Sequence, residues 1–294
     1  MTFKPIRPES ELIDTFFRTH NLLVPEFQRR YDWKVSEQVA RLWEDLNEYV
    51  LTIQGVPAKQ AQHFFGASIL FNDPSDDTRA WLIDGQQRTV TLVCLFAAIR
   101  DLARVYDSTD RLKTDAGDMI WNSKTARALL TSSVYKRDDL SLDKVSNPET
   151  YWVGGVHDPP SALGPSNRIL KTYVYFLDAF EELLNGEKVA SHSQRLGLLS
   201  TWFEEIRLTT YLHYVETDSL DQAYIMFDSQ NSRGMDLDPS DILKVRLLEI
   251  ARKGTPNQKD NFMTVWSTLS RASNNDPKNI SFILTDYYKS RTGK

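Results

Sequence analysis

The chain has little with which to cross-link itself or enter a bilayer. It carries one cysteine, Cys94, among 294 residues. That excludes an internal disulfide, and a thiol inside an apolar run reads as a packed core group. The longest apolar run, residues 92–99, is far shorter than the ~20 residues a membrane-spanning helix needs. Residues 1–10 are polar with two prolines and do not read as a signal peptide, so a cytoplasmic location is expected. Positive charge is not in excess: 35 Lys and Arg against 40 Asp and Glu leave a net charge of −5. A chain-wide basic footprint for nucleic acid is therefore missing, and any DNA contact must use a local patch. No Gly-x-x-x-x-Gly-Lys-Ser/Thr loop occurs, which excludes a P-loop nucleotide site. The five histidines, His20, His63, His157, His192 and His213, are scattered without metal-ligand spacing. No internal repeat is visible.

What is present is an ordinary globular composition, 41% hydrophobic and 26% charged, long enough for one large domain or two smaller ones. The chain is organised around Ala80-Trp81-Leu82-Ile83, a short buried strand, followed by Asp84-Gly85-Gln86-Gln87-Arg88. From Thr89 to about Tyr106 the residues are apolar on nearly every face, the pattern of a buried helix. A polar cluster at the start of such a helix meets free backbone N–H groups and the positive end of the helix dipole, which suits an anion. Arg88 adds a planar charged fork that fits phosphate oxygens. The same residues also read as a turn and a helix cap.

Around this stretch the periodicities predict an α+β chain. Ser10 reads as the cap of a short helix carrying Leu12, Ile13, Phe16 and Phe17, and residues 22–24 as a strand. Ser36 reads as the cap of an amphipathic helix through Val50. Residues 63–71 alternate as a strand, in which Gly66 marks a close backbone approach. With residues 80–83 this strand forms a hairpin. Met119, Ile120, Trp121, Ala126, Leu129, Leu130 and Val134 suggest one or two helices. Residues 136–167 lack periodicity and read as a lid, an insertion, a linker or a surface excursion. Helices are expected over 168–184, 192–205 and 220–229, a strand over 206–215 joining the sheet, and a helix starting at Asp238, Pro239 and Asp241. The tail reads as helical around Trp266 and Phe282. A basic segment, Gln28-Arg29-Arg30-Tyr31-Asp32-Trp33-Lys34, interleaves cations with aromatics. It reads either as a grip on phosphate and bases, or as a solvated turn anchored by Phe27 and Trp33.

Three ordered motifs carry a family resemblance: Val24-Pro25-Glu26-Phe27-Gln28-Arg29-Arg30-Tyr31-Asp32-Trp33; Ile83-Asp84-Gly85-Gln86-Gln87-Arg88; and Phe227-Asp228-Ser229-Gln230-Asn231-Ser232-Arg233-Gly234 leading to Asp241-Ile242-Leu243-Lys244. Together they resemble the N-terminal domain of GmrSD-type, modification-dependent restriction systems. The resemblance implies a small mixed ParB/sulfiredoxin-like sheet domain with a larger helical part. On that reading residues 1–106 hold the sheet and the Asp-Gly-Gln-Gln-Arg motif. Residues 107–254 complete the same domain with helices, the strand at 206–215 and the Asn231-Ser232-Arg233-Gly234 motif, and 255–294 form a C-terminal helical segment.

The resemblance further implies nucleotide binding and hydrolysis in bacterial defence against modified phage DNA, an NTPase module. A His-Asn-His nuclease would be supplied by another domain or subunit, since this chain lacks that motif. In the expected mechanism Asp84, Gln86, Gln87 and Arg88 are catalytic. Asp84 binds Mg²⁺ or orients water, Gln86 or Gln87 positions that water, and Arg88 holds phosphate. Gln28, Arg29, Arg30, Gly85, Asn231, Arg233, Gly234 and Lys244 line the phosphate and nucleotide site, while Asp241 and Lys244 also read as ordinary helix residues. The alternatives are a non-catalytic reader of modified double-stranded DNA, gripping it through Arg29, Arg30, Tyr31 and Trp33, and direct nuclease action by the same pocket.

Overall fold

The computed structural model describes residues 8–26, 28–56, 60–74, 78–106, 111–133, 136–153, 156–160, 167–185, 191–231, 240, 243–244, 247, 250–251, 254–273 and 277–292. The fold is α+β, and the chain forms two compact units, 1–223 and 224–294. No described helix is long and apolar enough to cross a membrane.

The first unit is built on a six-stranded mixed sheet. Its strands are β1 (Pro8–Leu12), β2 (Leu22–Val24), β3 (His63–Asn72), β4 (Ala80–Asp84), β7 (Leu130–Ser132) and β10 (Thr210–Thr217), in the spatial order β1-β10-β3-β4-β2-β7. The expected hairpin is present: β3 and β4 run antiparallel with Leu70 opposite Leu82 and Phe71 opposite Trp81. β10 joins parallel to β3. Strand β4 ends at Asp84, and Gly85, at φ +94°, turns the chain into helix α3 (Gln86–Tyr106). Every residue of α3 from Thr89 to Ala103 is buried.

Helices pack around that axis: α4 (Arg111–Gly117), α5 (Lys136–Ser146), α6 (Arg168–Leu184) and α7 (His192–Thr209). The aromatic centre of the packing is Trp43, stacked 5.5 Å from Trp202, with Phe180 edge-on to Trp202 at 5.0 Å. Phe180 and Trp202, both fully buried, each contribute about 1.5–3 kcal/mol relative to exposure.

Four local expectations are corrected. Residues 8–12 form a strand paired along its length with β10, and helix α1 (Ile13–Thr19) starts after Leu12, so ladder bonds override the capping tendency of Ser10. Helix α2 (Ala40–Thr52) is preceded by a π-helical turn, Val35–Val39, and Ser36 lies inside that turn. The Lys34 N–H at its start donates to Gln38 Oε1 at 3.0 Å. Residues 121–132 form strands instead of helix: β5 (Trp121–Asn122) and β6 (Arg127–Ala128) make a hairpin, and β7 sits at the sheet edge. The Asn122 side chain accepts from the N–H groups of Lys124 and Thr125, and Ala126 takes φ +50°, which no helix accommodates. Finally, α7 runs to Thr209, beyond the expected 205. Leu199, Trp202, Phe203 and Ile206 keep a helical face inward, while Leu208 is exposed.

The aperiodic 136–167 stretch holds α5 and a short hairpin, β8 (Trp152–Val153) with β9 (Val156–His157). Leu142, Val145 and Tyr151 are buried in the core. Residues 161–166 lie outside the described residues.

The division between units falls within helix α8 (Leu220–Asn231). The second unit contains helices Pro256–Ala272 and Pro277–Thr292, with Trp266 and Ile280 buried. The first of these starts with a reciprocal cap between Thr255 and Gln258. The helix start at Asp238, Pro239 and Asp241 falls outside the described residues.

Candidate phosphate site

The turn between β4 and α3 is shaped by two glycines. A β-carbon on Gly85 would lie 2.2 Å from Ser68 Oγ, so only glycine lets the turn sit on β3. Gly66, at φ +122°, performs the same service for Arg88: a β-carbon there would stand 2.9 Å from Arg88 Nε. The close approach expected at Gly66 is therefore an approach of the arginine. Arg88 lies flat against β3 and donates through Nη2 to the Ala67 carbonyl. Its Nε is buried without a hydrogen-bond partner.

Asp84 stands across from it, with Arg88 Nη2 3.9 Å from Oδ2 and the two side chains 32% and 26% exposed. Burial raises the Asp84 pKa, and the opposing pull of Arg88, the Gly85 N–H and Arg29 does not offset it. A carboxyl held in this way is poised to exchange a proton nearer neutrality than a solvated aspartate. Behind both residues, the first-turn N–H groups of α3 have no acceptor within the helix.

The first two sequence motifs do converge here, through the backbone of the basic segment. Gln28 is buried and donates to the Ile83 carbonyl at 2.6 Å. Gln86 donates to the Arg29 carbonyl at 2.9 Å. Gln87 donates to the Arg30 carbonyl at 3.2 Å and accepts from the N–H groups of Asp32, at 2.8 Å, and Trp33, at 3.3 Å. The two motif glutamines thus spend their amides on peptide groups of residues 29–33.

Of the arginines in that segment, Arg29 is exposed and near enough to Asp84 to act on its charge. Arg30 turns away to Asp138 of α5, at 3.1 Å. Tyr31 is 5% exposed, and its hydroxyl meets Thr91 and Thr172 at 2.8 and 3.2 Å. Its ring belongs to the core, not to a DNA-facing patch, because the helices α3 and α6 present matched hydroxyls to it. Trp33 is partly buried against the same core.

For the third motif, the backbone of Asn231 closes α8. The Asn231 side chain, Arg233, Gly234 and Asp241 lie outside the described residues. Lys244 is half-buried in the second unit. Sequence reading passed over Ala67 and Ser68, since a carbonyl anchor and a small buried hydroxyl leave no pattern of their own.

Among the described residues no group of three or more His, Cys, Asp or Glu side chains is disposed to hold a metal ion. Asp84 could still supply one carboxylate to a Mg²⁺ whose other ligands are phosphate oxygens and water, a donor set that ion accepts.

Among curated proteins no match to the chain is found. Residues 12–248 do match the family described as GmrSD restriction endonuclease, N-terminal domain, which covers all the elements just described around the turn. The chain belongs to that family of restriction-system components.

Proposed function

We propose that this chain binds and hydrolyses a nucleoside triphosphate at the β4–α3 turn. Through that cycle it regulates a His-Asn-His nuclease, supplied by another domain or subunit, that acts on modified double-stranded DNA. The observation that carries the phosphate assignment is the unsatisfied state of Arg88. Its guanidinium is pinned to one carbonyl, keeps a buried donor unpaired, and faces its carboxylate at 3.9 Å rather than in a closed pair. A permanently charged fork left short of acceptors at a helix N-terminus is suited to an oxyanion.

In this reading the first-turn N–H groups and Arg88 hold phosphate oxygens, and Arg29 adds charge from the facing segment. Asp84 orients the attacking water and takes its proton as the water oxygen bonds to the terminal phosphorus and the bond from that phosphorus to the bridging oxygen breaks, releasing the nucleoside diphosphate. Gln86 and Gln87 are positioning residues that keep Arg29 beside Asp84. When bound, Mg²⁺ held by Asp84 through a water would neutralise charge on the phosphate oxygens.

The DNA-reader alternative is less well supported by the residues assigned to it, because Tyr31 is core and Arg30 is paired.

Thermal shift with each ribonucleoside triphosphate and Mg²⁺ tests the proposal, since a ligand held only by the folded chain raises its melting point. The unaltered chain is expected to shift by several degrees at saturation, and Arg88→Ala is expected to show no shift while remaining folded. No shift in the unaltered chain, or an equal shift in Arg88→Ala, overturns it.

A further inference from the structure

Among the described residues the N-terminal half of β3 is paired on one side only, by β10. Strand β4 pairs with β3 only over Ile69 to Asn72, so among the described residues nothing of β4 flanks residues 63–68. Arg88 occupies part of that space. Three residues before Ala67, whose carbonyl anchors Arg88, Phe64 stands 59% exposed. On the neighbouring strand His213 is the register partner of Ala67, and its ring meets the Phe64 ring in a T-shaped contact at 4.8 Å. One short run of β3 therefore carries both the arginine anchor and an exposed aromatic held by a second ring. A bulge leaves Phe65 without a register partner, so the two ends of that run are two steps apart on β10, roughly 7 Å along the sheet. That separation lies within the reach of a nucleoside triphosphate from its base to its phosphates.

Aromatic faces of this kind bind bases with little regard to sequence, because every base has a π-face. A ring already braced by a neighbour loses little freedom when a base docks. Resting on the phosphate reading above, we infer that Phe64, braced by His213, is the platform on which the nucleobase of the bound triphosphate stacks. Arg88 and the helix start would hold the phosphate end. The ligand class is then a nucleoside triphosphate rather than an inorganic polyphosphate.

The test compares ribonucleoside triphosphates with inorganic tripolyphosphate, each with Mg²⁺, by calorimetry on the full chain. Phe64→Ala is expected to weaken nucleotide binding roughly ten-fold, the size of one base–aromatic stack, and to leave tripolyphosphate affinity unchanged. Phe64→Trp should restore nucleotide binding. The melting temperature of Phe64→Ala alone should match the unaltered chain, as for an exposed position. Unchanged nucleotide affinity in Phe64→Ala overturns the platform and leaves the phosphate site standing. Equal loss of both ligands also overturns it, because Phe64 would then be supporting the strand. If the unaltered chain binds tripolyphosphate but gains nothing from an attached nucleoside, the platform again falls alone. If it binds neither ligand, the phosphate site falls and takes the platform with it.

Discussion

Helix α3 carries two arginines that face aspartates, Arg100 with Asp101 and Arg88 with Asp84 at the end of β4, and the two arrangements are built in opposite ways. Toward the C-terminal end of α3, Arg100 and Asp101 are 2% and 1% exposed. The guanidinium meets both carboxylate oxygens at 2.8 Å and also donates to the carbonyls of Ser146, at 2.5 Å, and Val145, at 3.0 Å. Asp101 additionally accepts from the Tyr173 hydroxyl at 2.7 Å and from the Trp152 indole at 3.4 Å. At the start of the helix, Arg88 and Asp84 are a third and a quarter exposed, stand 3.9 Å apart, and leave a buried donor unpaired. The same two residue types thus make a saturated strut in one place and an unsaturated mouth in the other. A buried charge pair is tolerated when its hydrogen bonds are complete; the pair at the helix start is partly exposed and left incomplete, as a site that takes an anion requires.

This contrast can be broken at the strut with the largest effect. Asp101→Ala strands Arg100 in the core and is expected to cost about 3–5 kcal/mol. Chemical denaturation would read that as a large fall in the midpoint, and an unchanged midpoint would mean the pair is not a support. At the mouth the effect is smaller and of another kind. Gly66→Ala forces an alanine into φ +122° and crowds Arg88 Nε, costing about 1–3 kcal/mol. It should also lower triphosphate affinity as the guanidinium leaves the Ala67 carbonyl; affinity equal to the unaltered chain would show that this anchor is dispensable.

The smallest effect, and the sharpest for the comparison, is that of Asp84→Asn. Burial raises the Asp84 pKa, so the folded chain holds its proton more tightly than the unfolded chain does. Stability from this group is fully present below its unfolded value of about 3.9 and is lost as pH rises through the folded value. Removing the charge should therefore leave the melting point at pH 7 equal or higher, with the gap closing in acid, while turnover disappears. A melting point that instead falls at pH 7 would make Asp84 a second strut.

The sequence made some of this legible and hid the rest for physical reasons. The strand–turn–helix at residues 80–106 could be read because burial on all faces and an Asp-Gly turn are local signals. The pairing of residues 8–12 could not, because its cause is β10, some two hundred residues away. α5 was hidden because its inward face includes Ser141 and Ser146 beside Leu142 and Val145, over the polar Arg100 pair, so no apolar period appears. In the site, Arg88 and Asp84 were visible as residue types. That Gln86 and Gln87 would grip peptide groups was not, because their partners are backbone atoms, which every sequence has. Tyr31 looked like a surface aromatic among arginines until Thr91 and Thr172 gave its hydroxyl a place inside.

The glutamine grip has a mechanical consequence. Residues 29–33 are tied to the first turn of α3 by four hydrogen bonds of Gln86 and Gln87, and the neighbouring Gln28 is tied to β4 through the Ile83 carbonyl. The same short segment is strapped outward, Arg30 to Asp138 on α5 and Asp32 to Arg168 on α6. The helix start, the basic loop and two outlying helices are linked like cars of one train. The turn is thus joined to α5 and α6 by an unbroken series of hydrogen bonds and ion pairs.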